Sequence, residues 1–399
     1  MRCSFRLYFR VFGACTLAGI FLLAGLNLLV DPLSAYRKLS FRALEPYRGH
    51  LTSRTAKAEM IARGDCQVLL LGSSRVINGM PVTHSAYGAD RVYNLGLNAT
   101  ALTETAGVLN FALRKNRLKR ALFGVDFFLF SEARGNSAVF ENSRFNPDLN
   151  LFDYHCRNAF GSQAIDDSQA LLRQALRGKP APGERGFLPK TIPHGAAQRD
   201  IFAARIRGFL VNRGAYSGFR YATQRLEMFR EMVRRCRREN VDLVVFIPPI
   251  HALQLETIRA AGLWPTFEQW KGDLSRILAE EGAGEPVPFW DFTGFTGPVT
   301  EAVPPAGDTT TRMKWYLDSS HFMPALGDFV LQRILGPERS EGSNRDFGVR
   351  LNSQNVGAHL ARVRSDREAY VSANRQEELW LAQIVASAKV KKDAKGDEF

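Results

Sequence analysis

Residues 67–75 read Gln-Val-Leu-Leu-Leu-Gly-Ser-Ser-Arg, and no other stretch of the chain restricts its fold as much. Four apolar residues, Val68 to Leu71, run without a polar break into Gly72. A short apolar run closed by glycine is the pattern of a fully buried strand. The turn after such a strand lies at the carboxyl edge of a parallel sheet, where open α/β sheets build their sites. Ser73 and Ser74 occupy that turn. A serine there, taken alone, reads as a helix cap more readily than as a nucleophile.

The segments that follow keep the same grammar. Residues 91–96 read as a second short strand ending in glycine. Residues 100–116 have helical spacing, with Leu102, Ala106, Leu109 and Leu113 on one face. A third strand is predicted over 120–130. The amphipathic helix 222–240 feeds a fourth strand over 241–247, which stops at Pro248 and Pro249. A helix over 266–281, a fifth strand over 287–292 and a helix over 325–335 complete the pattern. Strands alternating with helices predict an α/β fold with a parallel, doubly wound sheet. Residues 131–220 are rich in turn clusters, with a helix over 166–176, and read as an insertion or cap over the sheet edge. Residues 31–64 read as a connector, helical over 53–63. The chain after 336 reads as a polar tail with a helix over 366–389.

Val11 to Val30 carries no charge, and Arg2, Arg6 and Arg10 precede it. About 20 apolar residues are enough to cross the hydrocarbon core of a bilayer. No Ala-x-Ala site ends the run, so it reads as an uncleaved signal anchor over 11–30. The positive-inside rule then leaves residues 1–10 in the cytoplasm of a bacterium. The expectation is a single-pass inner-membrane protein with its bulk in the periplasm.

The net charge of +13 asks for an anionic neighbour. Zinc-finger and P-loop patterns are absent, and nucleic acid is not expected as a partner. Arg225, Arg230, Arg234, Arg235, Arg237 and Arg238 crowd one helix. That helix is either a solvated face or a contact for phospholipid or an anionic polymer. No Cys-x-x-Cys occurs. Cys66, Cys156 and Cys236 are either buried thiols or include one disulfide. No metal or organic cofactor is implied.

Residues 315–322 read Trp-Tyr-Leu-Asp-Ser-Ser-His-Phe. Asp318 and His321 stand three positions apart, a spacing that lets the carboxylate reach its own histidine's ring. A serine nucleophile needs a base, and the base needs an acceptor that fixes its tautomer and stabilises the imidazolium. One short segment supplies both, while Ser74 arrives from the first strand.

Glycine-x-serine after the first strand, Asn94-Leu95-Gly96 after the second and Asp-x-x-His near the end together resemble the blocks of the SGNH (GDSL-like) hydrolases. The resemblance covers residues 65–336. It implies a flavodoxin-like three-layer α/β/α catalytic domain, with Ser74 as nucleophile, His321 as base, Asp318 as its orienter and Gly96 as an oxyanion donor. The chain departs from the pattern twice. Ser73 stands where the first block usually carries aspartate. In the third block, Gly124-Val125-Asp126 replaces an asparagine oxyanion donor, and an ionised aspartate has no proton to donate. Asn98 is a candidate replacement donor. Arg75 is a candidate partner for Asp126.

His251, at the end of the fourth strand, reads as a substrate contact or as a structural residue. Trp315 and Tyr316 read as a sugar-stacking wall or as core. The resemblance implies a membrane-anchored, periplasm-facing serine esterase or O-acyltransferase acting on cell-envelope or exported polysaccharide. Its partners would be the membrane, a carbohydrate or anionic polymer and, for a transferase, a membrane-bound acyl donor protein. The alternative is a catalytically silent scaffold or glycan-binding protein on the same fold.

Overall fold

The computed structural model describes residues 2–48, 53–180, 183–282, 284–336 and 347–396. The apolar run is strand β1, Val68–Leu71. It lies between β2 (Val92–Asn94) and β3 (Arg120–Gly124), parallel to both. β4 (Asp242–Ile247) and β5 (Phe289–Asp291) extend the parallel set, and β6 (Val349–Leu351) adds an antiparallel edge. The order is β2-β1-β3-β4-β5-β6, which reverses direction at β1 and β3. That reversal opens a crevice at the carboxyl ends of those two strands.

Strand pleating sends alternate side chains to opposite faces. Leu69 and Leu71 join Ala121, Phe123, Val245 and Ile247 in one core. Val68 and Leu70 join Leu122, Val244 and Phe246 in the other. The helices Leu102–Lys115, Thr223–Arg238 and Trp264–Glu280 close the first core through Leu109, Phe229 and Trp270. The helices Ser74–Gly79 and Pro324–Leu335 close the second through Val76, Leu326 and Val330. The sheet is therefore the middle of three layers. Each of these buried leucines and phenylalanines contributes about 1.5–3 kcal/mol relative to exposure.

The turn after β1 depends on Gly72. Its φ is +148°, and a Cβ there would lie 2.5 Å from Val76 Cγ2 and 2.6 Å from the carbonyl oxygen of Gly124. No other residue fits so close to β3. Ser73, next in line, caps the helix Ser74–Gly79 by accepting a hydrogen bond from the Arg75 amide at 3.2 Å. The cap of this helix is thus Ser73 and not Ser74.

The structure departs from the sequence reading in four places. Strand β3 ends at Gly124, and Phe127–Phe130 form a 3-10 turn rather than more strand. The reason is Asp126, which turns toward Arg75, while Phe127 and Phe130 pack against Trp270 at ring distances of 5.5 and 5.6 Å. The connection between β3 and β4 carries helices Ala138–Glu141, Leu151–Phe160, Ser162–Leu176 and Gln198–Val211, where one was foreseen.

The C-terminal region is not a polar tail. β6 pairs with β5, and helices Val356–Ala373 and Arg375–Gly396 pack on the domain through Val363, Tyr370, Leu381 and Ile384. Its apolar residues are widely spaced among charges, which hides them from a periodicity count. Residues 337–346 of the foreseen tail lie outside the described residues.

The arginine-rich helix is not a free cationic face either. Arg230 pairs with Glu227, Glu280 and Glu281, Arg234 with Glu281, Arg235 with Glu239 and Arg238 with Glu231. Glu280 and Glu281 at the end of the neighbouring helix and Glu227, Glu231 and Glu239 beside the arginines build this ladder, while Arg225 and Arg237 donate to the carbonyls of Arg134 and Glu281.

Cys66, Cys156 and Cys236 are free thiols. Burial pushes the Cys236 thiol up to about 12, so it is not a nucleophile at neutral pH. At the N-terminus the helix Arg2–Val30 contains a 26-residue segment, Phe5–Val30, long and apolar enough to cross a membrane.

Candidate active site

Ser74 and His321 meet across 247 positions of sequence. Ser74 Oγ lies 2.8 Å from His321 Nε2. His321 Nδ1 lies 2.8 Å from Asp318 Oδ2. This chain of contacts sets the tautomer: with a proton on Nδ1 facing the carboxylate, Nε2 is left as the acceptor for the serine hydroxyl. Asp318 is fixed in turn by amides of its own loop, since Oδ1 accepts from Ser320 N at 2.8 Å and His321 N at 2.9 Å. Burial opposes the charge on Asp318. His321, Arg205 and the Ser320 amide outweigh it and hold the carboxyl well below the usual range.

The two halves are joined by a buried guanidinium. Arg75, directly after Ser74, pairs with Asp126 through Nη1 and donates through Nε to the carbonyl and hydroxyl oxygens of Ser320, each at 3.1 Å. One side chain thus ties the serine turn, the end of β3 and the loop that carries His321. Asp126 is wholly buried, and its Oδ2 takes no partner among the described residues. Asp126 is therefore half of a buried ion pair.

Ser74 and His321 open onto a cavity of about 170 Å³. Arg75, Arg134 and Arg205 line it together with Phe128, Phe209 and Asn212, and its described lining contains no carboxylate. Arg134 donates to the Thr100 carbonyl at 2.8 Å and stacks on Phe128 with its guanidinium 5.2 Å from the ring centre. Arg205 donates to Asp318 Oδ2 at 3.0 Å. Sequence reasoning missed Arg134, Arg205, Phe128 and Phe209. Their segments carry no motif, and only the return of the helix Gln198–Val211 over the sheet brings two of them to the site.

The loop after β2 is held from behind. Lys57 is wholly enclosed, and its ammonium donates to the carbonyls of Asn94 (2.9 Å), Gly96 (2.6 Å) and Gly186 (3.1 Å). Arg54, one turn earlier, donates to the Asn98 carbonyl at 3.0 Å and pairs with the buried Glu104. Asn94 ties the loop to the serine helix by donating to the carbonyls of Val76 (2.8 Å) and Met80 (2.9 Å).

The oxyanion roles expected of Gly96 and Asn98 are not met by this arrangement, and His251, Trp315 and Tyr316 fall on the structural side of their two readings. The Gly96 amide donates to Asn94 Oδ1 at 3.1 Å, which commits it before any substrate arrives. Neither Gly96 nor Asn98 lines the cavity; Ala99, next along the loop, does. His251 is a buried helix cap. Its Nδ1 accepts from the Leu253 amide at 3.2 Å, its Nε2 lies 2.7 Å from the Glu301 carbonyl, and burial lowers it to about 4. It stays neutral and away from the cavity. Tyr316 is core, edge-on to His251 at 5.3 Å, and Trp315 packs on Phe329, so neither forms a sugar wall there.

Among the described residues, no group of three His, Cys, Asp or Glu side chains is placed to hold a metal ion. A scan against protein-family models finds no match, and a search of curated proteins finds none either.

Proposed function

We propose that the protein is a serine acyl-transfer enzyme of the SGNH type, anchored in the inner membrane with residues 31–399 in the periplasm and residues 131–220 as an insertion in its catalytic domain. The observation that carries the reading is the unbroken relay from Ser74 Oγ through His321 to Asp318, with both contacts at 2.8 Å. Ser74 attacks the carbonyl carbon of an ester while His321 Nε2 takes the hydroxyl proton. His321 returns that proton to the leaving alkoxide, which departs as an alcohol and leaves the acyl group on Ser74. Water resolves the acyl-serine in a hydrolase; a sugar hydroxyl does so in a transferase.

With Gly96 committed, the positive lining of the cavity supplies the field for the oxyanion. Arg134 and Arg205 line the small cavity onto which Ser74 opens, so their fixed positive charge faces the negative charge that develops there. The same lining favours acyl acceptors or donors that carry negative charge, as exported acidic polysaccharides do. The proposed route for a transferase draws its acyl group from a membrane-bound donor.

The test uses the purified full chain with a fluorophosphonate probe and p-nitrophenyl acetate, beside Ser74→Ala. Covalent labelling of the native chain and none of the variant supports the reading. Absence of labelling and of turnover between about pH 6 and pH 9 overturns it. A second reading, a silent glycan-binding scaffold, is favoured by the committed Gly96 amide. It predicts that outcome together with retention on an immobilised acidic polysaccharide.

A further inference from the structure

The chain leaves its N-terminal helix by folding back onto it. The Phe41 amide donates to the Leu29 carbonyl at 2.9 Å. Arg48 donates to the Val30 carbonyl through Nε (3.1 Å) and Nη2 (2.8 Å), capping the helix end. The helices Leu151–Phe160 and Ser162–Leu176 pack against the same end. There Asn27 Nδ2 donates to the Ala159 carbonyl at 2.9 Å, and Tyr36 OH lies 2.8 Å from His155 Nδ1.

The covered part of the N-terminal helix is short. Of its described side chains only Ala24, Asn27 and Val30 are buried, whereas Phe21, Leu22 and Leu23 are exposed. The apolar segment has 26 residues. A hydrocarbon core of about 30 Å takes roughly 20 of them at about 1.5 Å each. The surplus of about two turns matches the stretch that the helical pair covers. With the pair covering Ala24 to Val30, the span leaves the membrane near Ala24 and so starts near Phe5 rather than at the anticipated Val11, with Arg6 and Arg10 reaching back to the cytoplasmic headgroups; this sets the pair and the connector at headgroup level.

The connector and the helical pair leave large apolar side chains bare. Leu39 and Phe41 in the connector are exposed, as are Leu151 and Phe160. Phe152 is 79% exposed and Leu176 is 88% exposed. Lys38, Arg42, Arg177 and Lys179 stand beside them, exposed and without a carboxylate partner among the described residues. Exposed apolar side chains rimmed by unpaired cations are what an interfacial membrane contact requires: the former enter the acyl boundary and the latter meet anionic headgroups.

We propose that residues 38–42 and the helical pair 151–176 form a second membrane contact, lying in the headgroup boundary of the bilayer beside the anchor. It rests on reading Phe5–Val30 as a span. It fixes the height and tilt of the domain over the membrane, which a flexible tether would leave free.

The test places a photoreactive residue in the full chain, reconstituted in phospholipid nanodiscs. Phe12, Phe152, Leu176 and Leu379 are each replaced by p-benzoylphenylalanine. Leu379, 66% exposed on the helix Arg375–Gly396, is the control for mere exposure. All four sites are exposed, so folding is undisturbed. Lipid adducts at 12, 152 and 176, several-fold above those at 379, support the proposal. Adducts at 12 with none in excess at 152 and 176 overturn it and leave the anchor standing. No adduct at 12 removes the anchor and this proposal together, without touching the serine chemistry.

Discussion

Arg205 and His321 bind the same oxygen of Asp318: Arg205 Nε donates to Oδ2 at 3.0 Å, and His321 Nδ1 lies 2.8 Å from it. A serine relay needs one acceptor behind its histidine. Here that acceptor is shared with a cation that also lines the cavity. The guanidinium draws charge away from the carboxylate and stands near the imidazolium that forms during attack. Arg205 thereby helps His321 to hold the Asp318 carboxyl below its usual range against the cost of burial.

Removing Arg205 should let the Asp318 carboxyl rise toward its ordinary value. In Arg205→Met the Asp318 carboxyl is expected to titrate at higher pH, seen by NMR on its carboxyl carbon, and the loss of stability on acidification should set in at higher pH, because a depressed carboxyl stabilises the fold only above its folded-state titration. The arginine side chain is 40% exposed, so solvent screens the effect and the shift should be modest. An unmoved carboxyl titration would show that the shared oxygen has no electrostatic consequence.

Asp126→Asn restores the residue type of an oxyanion donor, yet the structure predicts damage. The substitution leaves the Arg75 charge buried without its partner, which costs about 3–5 kcal/mol. Urea unfolding should show a midpoint lowered accordingly. Arg75 also holds both oxygens of Ser320, so Ser74 should label more slowly. Replacing both residues, Arg75→Met with Asp126→Leu, should recover most of the stability while labelling stays slow.

How much of this was legible in the sequence depends on whether a feature is local. β1 and its glycine turn were legible because burial and steric need fall within nine residues. The Asp318–His321 contact was legible for the same reason, and the Arg75–Asp126 pair followed from charge beside charge at one sheet edge. Arg205 was not legible, because a mid-helix arginine looks the same whether it meets solvent or Asp318. His251 misled for the opposite reason. It stands at the correct edge of the sheet, but its ring turns inward to cap the next helix. β6 escaped because three residues between a turn and a helix carry no period.

Glycine contacts beside the site give a steric test. A Cβ on Gly327 would lie 1.7 Å from the Gly79 carbonyl oxygen, and one on Gly79 would lie 2.1 Å from the Phe322 ring. Gly327→Ala must part the helices Ser74–Gly79 and Pro324–Leu335, and overpacking of this kind costs about 1–3 kcal/mol. Gly79→Ala pushes Phe322, which follows His321, so serine labelling should fall along with stability. Gly272 has no atom within 4 Å of the same position and sits inside the helix Trp264–Glu280. Gly272→Ala should instead stabilise by about 0.5–1 kcal/mol. Equal losses at all three sites in thermal unfolding would contradict the packing described.

Lys57 predicts an unusual dependence of stability on pH. Burial, aided by nearby Arg54, lowers its ammonium from 10.5 to about 7. Between those values the unfolded chain keeps a proton that the folded chain gives up. Stability rises with pH wherever the unfolded state binds more protons, so Lys57 should contribute a rise from about pH 7 to about pH 10.5. Below that window both states are charged and the desolvation cost is borne in full; above it both are neutral. Lys57→Met removes the titrating group, leaves the carbonyls of Asn94, Gly96 and Gly186 without their donor, and should abolish the rise. Urea midpoints for both chains at about pH 7 and about pH 10 decide the matter, because parallel changes in the two would mean that Lys57 ionises as it does in water.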